Sequence, residues 1–278
     1  MNSYYFSRRV KNSLVMCLVI FYFAWPNVGR SESNFISAKP TARVEHWKKR
    51  EDEINKFLQE SKNLNEIKLL FVGDSITDFW LLDESPWVSG KKFGRKIWDQ
   101  SFSKPGSENY SLNIGISGDR TEHVLYRILP KAKGGMGQLD PQELKPEFIV
   151  LLLGINNSWA AESPVVESIY EGVLATITAL HAQKPNARII LQSLLPTNDV
   201  IKNKDVVLKV NEKLKIYSSD SDFQNMITFL DLYPLFIDAD GSQLSMNFTD
   251  GLHPNNFGYE IWRTALVKHI TNVRTFLK

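Results

Sequence analysis

Five short apolar runs, each followed by a stretch of helical periodicity, constrain this chain more than any other feature. They are IKLLFVG (67–73), YSLNIGI (110–116), FIVLLLGI (148–155), ARIILQSLLP (187–196) and ITFLDLYPLF (227–236). A run that is apolar at consecutive positions is buried on both faces, as strands are in a parallel sheet covered by helices. Helical patterns fill the intervals: VEHWKKREDEINKFLQESKN (44–63), GDRTEHVLYRIL (118–129), 163–185, 202–219 and 255–270. ITDFWLL (76–82) reads as the start of a helix or a turn. Strict alternation of this kind predicts a three-layer α/β/α sandwich around a five-stranded, mostly parallel, doubly wound sheet. No composition shift marks a second domain, so residues 43–278 read as one. Two stretches, 84–109 and 131–146, show no periodicity, and PKAKGGMG (130–137) lengthens the connection before the third strand.

The first thirty residues follow another logic. Arg8, Arg9 and Lys11 precede an apolar run, LVMCLVIFYFAW (14–25), which Pro26 breaks before the small residues Gly29 and Ser31. A basic start, a short apolar core and small residues beyond it match a secretory signal peptide, read here as 1–31 with cleavage after Ser31. The run falls short of the roughly 20 residues a membrane span needs; an uncleaved signal anchor is the alternative. Residues 32–42, polar and aperiodic, read as a flexible tether. The formal charge of +2 belongs to the leader: without Arg8, Arg9, Lys11 and Arg30, basic residues no longer outnumber the 31 acidic ones. That balance gives no electrostatic footprint for nucleic acid. The one cysteine, Cys17, would leave with the leader. A mature chain without it has neither a disulfide framework nor a thiol nucleophile.

In an open parallel sheet, ligands bind outside the carboxyl ends of the strands. The first strand ends in Gly73-Asp74-Ser75, the second in Asn113-Ile-Gly115-Ile-Ser-Gly118-Asp119, and the third in Gly154-Ile-Asn156-Asn157. Asp250-Gly-Leu-His253-Pro254 follows the fifth. With these blocks in this order, the chain resembles an SGNH hydrolase of the GDSL esterase/lipase superfamily. GDRTEHVLYRI, GQLD, LLP, FIDADG and GYEIW are similar to the platelet-activating-factor acetylhydrolase catalytic subunits and related bacterial acylhydrolases. The likeness spans about residues 66–267. It implies a flavodoxin-like fold and an oxyanion hole made of the backbone N–H of Ser75, the backbone N–H of Gly115 and the side-chain amide of Asn156. It implies no metal or organic cofactor. Relatives commonly carry Thr where this chain has Ile155, which bears on packing alone.

The residues support the same roles. A serine hydroxyl attacks only when a base takes its proton; His253 is the candidate base for Ser75. Asp250, three residues earlier, can reach Nδ1 and fix the tautomer. The competing reading of Ser75 is a helix N-cap. Asp74 reads as a turn-shaping residue, Asp119 as the head of a capping-box pattern with Glu122, and Asn157 as a turn residue or an orienter of Asn156. His46, His123, His181 and His269 lie on predicted helices away from any such constellation. Trp80 and Trp159 follow two of the blocks closely and are candidates for the wall of the substrate pocket. A metal-dependent alternative would gather Asp74, Asp78, Asp119, Asn156 and His253 as ligands; a further one is a binding protein that keeps the fold.

The expected activity is hydrolysis of short, acetyl-sized esters through an acyl-serine intermediate, on carbohydrates or small molecules. Phospholipid and thioester substrates are the alternatives, because a fold does not choose a substrate. Asn109, Asn156 and Asn247 each head an N-glycosylation sequon. A glycan on Asn156 would block the oxyanion hole, so the expected compartment is a bacterial periplasm or exterior. A glycan on Asn156 in active native protein would overturn that expectation.

Overall fold

The computed structural model describes residues 33–43, 47–160, 162–220 and 226–276. The proposed leader and His46 lie outside them. In chain order the elements are α1 (Lys48–Glu60), β1 (Leu69–Gly73), α2 (Ser75–Asp78), α3 (Arg95–Ser101), β2 (Ser111–Asn113), α4 (Thr121–Ile128), β3 (Phe148–Leu152), α5 (Val165–Gln183), β4 (Arg188–Gln192), α6 (Val200–Lys202), α7 (Leu208–Ser218), β5 (Ile227–Leu230) and α8 (Asn256–Phe276). All five strands pair in parallel, in the order β2-β1-β3-β4-β5. Every residue of β1 and β3 is buried, as their unbroken apolar runs require, whereas the edge strand β5 is buried only at its ends. Helix α5 packs against both α4 and α7, and α3 packs with α8. No helix among the described residues is long and apolar enough to cross a membrane.

Chain order reverses between β1 and β3, the switch point where such sheets open a crevice. Gly73 pairs with Leu152, so the segments carrying Ser75 and Asn156 leave the sheet side by side. Beneath them lies a cluster of aromatic rings. Trp80 sits at its centre, fully buried, with ring centroids 4.5 Å from Tyr259, 5.0 Å from Trp262 and 5.6 Å from Phe102. Trp80 therefore packs the core and offers no face to a ligand, which corrects its assignment to the pocket wall. A tryptophan close to a motif in sequence need not face the same side, because the short turn after α2 carries it into the core.

Two further expectations change. The stretch read as a tether is docked from Asn34 onward. Ser37 is buried; its hydroxyl donates to the Ser168 carbonyl at 2.7 Å, and its carbonyl accepts from the Thr121 hydroxyl at 2.7 Å. The Glu162 carboxylate accepts the N–H groups of Ile36 and Ser37. Such docking works through individual hydrogen bonds and leaves no hydrophobic period to read. Within the aperiodic 84–109 stretch, α3 forms and buries Ile97 and Trp98. The 130–137 insertion turns back onto the end of α4: the N–H groups of Met136, Gly137 and Gln138 donate to the carbonyls of Tyr126, Leu129 and Arg127.

Candidate active site

Residue 74, not residue 75, caps the helix after β1. Asp74 Oδ1 accepts the Ile76 N–H at 3.0 Å, and the Asp74 carbonyl accepts from Thr77 and Asp78. That leaves the Ser75 hydroxyl free at the first position of α2. It meets His253 Nε2 at 2.9 Å. His253 Nδ1 lies 2.8 Å from Asp250 Oδ2. The other carboxylate oxygen, Oδ1, accepts the backbone N–H groups of Leu252 and His253 at 3.1 and 2.9 Å. Asp250 thus folds its own loop around itself and presents Oδ2 to the imidazole.

The loop is fastened from outside as well. The Gly251 carbonyl accepts from Asn198 N–H and Gln243 Nε2, Thr249 N–H donates to the His253 carbonyl, and Asn255 Oδ1 caps α8 through the N–H groups of Phe257 and Gly258. Partial burial pushes the Asp250 carboxyl up. The hydrogen bonds and charge of His253, with the Leu252 N–H, outweigh it and hold the group well below the usual carboxylate range. An ionised Asp250 makes Nδ1 the protonated ring nitrogen and leaves Nε2 to accept the serine proton.

The donors for a developing oxyanion are arranged differently from the expectation. The Gly115 N–H is already committed to Asn113 Oδ1 at 2.8 Å, in a buried position. A Cβ on Gly115 would lie 2.7 Å from the Asp78 nitrogen and 2.8 Å from the Thr77 side chain, so the glycine is there for close packing against α2. Gly115 is therefore withdrawn as a donor. Three residues on, Gly118 holds φ at +77°, a conformation suited to glycine. Its N–H has no acceptor among the described residues, and it is partly exposed. The Ser75 N–H likewise has none. Asn156, on the single turn Ile155–Trp159 after β3, donates one amide hydrogen to the Asp119 carbonyl at 2.8 Å, which ties it beside Gly118 and leaves the second hydrogen unused. Asn157 is buried and fastens the start of α4, accepting from Thr121 N–H and donating to Thr121 Oγ1 and Glu122 Oε2.

Asp119 is structural, but not through a capping box with Glu122. Both residues of that pattern are buried, and Asp119 instead meets two arginines: Arg43 Nη1 at 2.9 Å and Arg127 Nε at 2.8 Å. The box at the head of α4 is formed by Arg120 and His123, whose Nδ1 accepts the Arg120 N–H. His269 pairs with Thr228 Oγ1. Trp159 is half exposed, with Lys202 Nζ 3.9 Å from its ring centroid, and remains available to a ligand. The ligands of the metal-dependent alternative do not converge: Asp78 is paired with Arg50, Asp119 with Arg43 and Arg127, and no group of three His, Cys, Asp or Glu side chains is gathered among the described residues.

The model of the GDSL-like lipase/acylhydrolase family matches residues 71–261. The chain belongs to that family. It is accordingly a carboxylic ester hydrolase. Platelet-activating factor acetylhydrolase IB subunit alpha2 of Rattus norvegicus is 30% identical over 208 residues, covering 74% of this chain and 76% of the relative. A GDSL-like lipase from Bacteroides thetaiotaomicron superposes with a TM-score of 0.58 at 18% identity, covering 82% of this chain and 98% of its own. A member of the lipolytic protein G-D-S-L family from Veillonella parvula gives 0.53 at 22%, with 74% and 98% covered. Those two structures speak for the GDSL fold.

One carboxyl in this GDSL-family site is out of the ordinary. Burial pushes Asp74 up to about 7, against the Ile76 N–H that lowers it, and Asp119 adds to the rise. Its Oδ2 is buried without a hydrogen bond among the described residues. The folded state therefore binds this proton more tightly than the unfolded chain. The stabilisation is complete below the ordinary aspartate range and is lost as pH rises through about 7. Asp74→Asn, which keeps the capping oxygen, should lose this fall in melting temperature between pH 4 and 7. Parallel wild-type and variant melting curves across that range would contradict the assignment.

Proposed function

We propose that Ser75, His253 and Asp250 are the catalytic triad of a serine esterase for short acyl groups. The unbroken chain of contacts from Ser75 Oγ through the imidazole to Asp250 carries the proposal. Ser75 Oγ attacks the ester carbonyl carbon as its proton passes to His253 Nε2. The carbonyl oxygen gains negative charge, facing the N–H groups of Ser75 and Gly118 and the free amide hydrogen of Asn156. When the tetrahedral adduct collapses, the carbon–oxygen bond to the leaving group breaks and His253 returns the proton to that oxygen. An acyl-Ser75 ester remains. Water, losing a proton to Nε2, attacks it; the carboxylic acid leaves and Ser75 regains its hydrogen. The scheme asks for no metal and no organic cofactor.

For the substrate we favour acetyl esters of carbohydrates or similar small alcohols. Two half-exposed indoles support this: Trp87, whose ring centroid is 6.0 Å from that of His253, and Trp159, on the turn that carries Asn156. Flat aromatic faces beside a reaction centre suit a ring-shaped leaving group. Reading residues 1–31 as an export signal puts that substrate outside the cytoplasm. The second reading is an acetyl phospholipid, supported by the 30% identity to a platelet-activating factor acetylhydrolase subunit. A panel running from acetylated sugars and p-nitrophenyl acetate to acetyl phospholipids separates them. We expect kcat/KM to be highest on acetylated sugars and to fall as the acyl chain lengthens. A clear preference for the phospholipid would reverse the choice.

A further inference from the structure

Among the described residues, only one hydrogen bond to the Asp250 side chain comes from outside its own loop. The indole Nε1 of Trp87 donates to Asp250 Oδ2 at 3.1 Å, the same oxygen that meets His253 Nδ1. With the two backbone N–H groups on Oδ1, the carboxylate has four donors, which fills its lone-pair sites. The side chain of Asp250 is one-quarter exposed, so without the indole, water would compete for Oδ2.

Trp87 is held in place to do this. It sits at the tip of a strap, residues 83–93, that closes on itself: Phe93 N–H donates to the Asp83 carbonyl, Ser85 N–H to the Lys91 carbonyl, and Glu84 and Lys92 form an antiparallel bridge. Ser85 Oγ accepts the N–H groups of Trp87 and Val88 and sets the turn. The indole packs against Phe79 and Phe93, with centroids 5.3 and 5.9 Å away. Phe79 itself lies 4.8 Å from the His253 ring. A second tie joins the strap to the start of α8, three residues past His253, from Asn256 N–H to the Lys92 carbonyl at 2.8 Å. Among the described residues, the charged strap residues Asp83, Glu84, Lys91 and Lys92 form no ion pair with Asp250 or His253. Tyr259, the nearby phenol of α8, donates its hydroxyl to the Ile76 carbonyl.

The structure assigns Trp87 the role of a positioning residue: its N–H fixes the orientation of Asp250 and draws off part of the charge that Oδ2 directs at His253. This rests on the triad proposed above. Removing the donor frees Asp250 to rotate and leaves more negative charge facing the imidazole, which favours its protonated form. The base is then available only at higher pH.

Trp87→Phe, which keeps an aromatic ring and deletes the donor, tests the role on p-nitrophenyl acetate. We expect kcat to fall about tenfold with KM within about twofold, the scale of a lost hydrogen bond to a charged group. The acidic limb of the kcat/KM profile should move up by about half a pH unit. In an Asp250→Ala background the same substitution should cost nothing further, a null that also guards against a general folding defect. Wild-type kcat with an unshifted limb overturns the inference. So does a loss confined to KM, which would leave Trp87 a substrate wall and no more, or an equal loss in the Asp250→Ala background. If Ser75→Ala keeps full activity, the triad falls and this inference with it. If Ser75→Ala is inactive and Trp87→Phe is unchanged, the inference falls alone.

Discussion

Ser75→Ala should lower kcat by about 10⁴-fold or more while the protein folds as before. The hydroxyl is the only group on α2 that reaches His253, and no other serine or threonine hydroxyl bonds to that imidazole among the described residues. A residual rate would survive, because the oxyanion donors and substrate binding remain when a triad member is lost. The substitution removes one oxygen at a site that Asp74, not Ser75, caps, so the turn after β1 loses no backbone hydrogen bond. Two measurements decide it: steady-state hydrolysis of p-nitrophenyl acetate, and the mass added by a fluorophosphonate probe. We expect one probe adduct on the wild type and none on the variant. Activity within tenfold of wild type, or an adduct on another residue, would remove Ser75 from the mechanism.

Arg127→Ala should destabilise the fold by about 3 kcal/mol, toward the lower end of what breaking a buried ion pair costs. Both Arg127 and Asp119 have side chains with no exposed surface. Arg127 Nε donates to Asp119 Oδ2, Nη1 donates to Gln138 Oε1 at 2.6 Å, and Nη2 lies 2.7 Å from Oδ2 as an ion contact without hydrogen-bond alignment. Truncation leaves a buried carboxylate short of a partner, an unsatisfied glutamine oxygen and a cavity. Arg43, which still donates to Asp119 Oδ1, is what keeps the cost from being larger. For a domain of this size the loss corresponds to a fall of about 6–12 °C in melting temperature. Differential scanning calorimetry measures it; a change under about 2 °C would show that the Arg43 contact alone satisfies Asp119.

The strands and the placement of the residues proposed as the triad were legible in the sequence for the same reason. Residues 69–73 and 148–152 are apolar at every position and buried at every position, so their pattern has one reading. Once the strands are placed, Ser75, Asn156 and the 250–253 loop fall at their carboxyl ends. Gly115 was misread because two glycines share one loop. Spacing cannot tell which N–H is left over; in the folded chain the Gly115 N–H donates to Asn113 Oδ1, whereas Gly118, at positive φ, has no acceptor for its N–H among the described residues. Trp87 was hidden by its place in an aperiodic stretch, 163 residues from the carboxylate it meets. Helix α3 was missed because seven residues with only Ile97 and Trp98 buried are too few to show a period. Trp80 shows the opposite failure, since nearness to a motif in sequence suggested a surface that the turn after α2 removes.

The docking of residues 34–43 bears on the order in which the molecule can assemble. Ile36 reaches Glu162 across 126 residues of chain and Ser37 reaches Ser168 across 131, while Arg43 joins Ser117 and Asp119. During synthesis this stretch emerges long before α4 and α5, on which it depends, exist. Each of these contacts closes a large loop, and the stretch buries too little apolar surface to nucleate anything alone. It therefore attaches late, to a core already formed, as a clasp rather than a foundation. Because one end of the clasp grips the loop that carries Gly118, the last segment to settle is also one that steadies the donor side of the proposed catalytic centre.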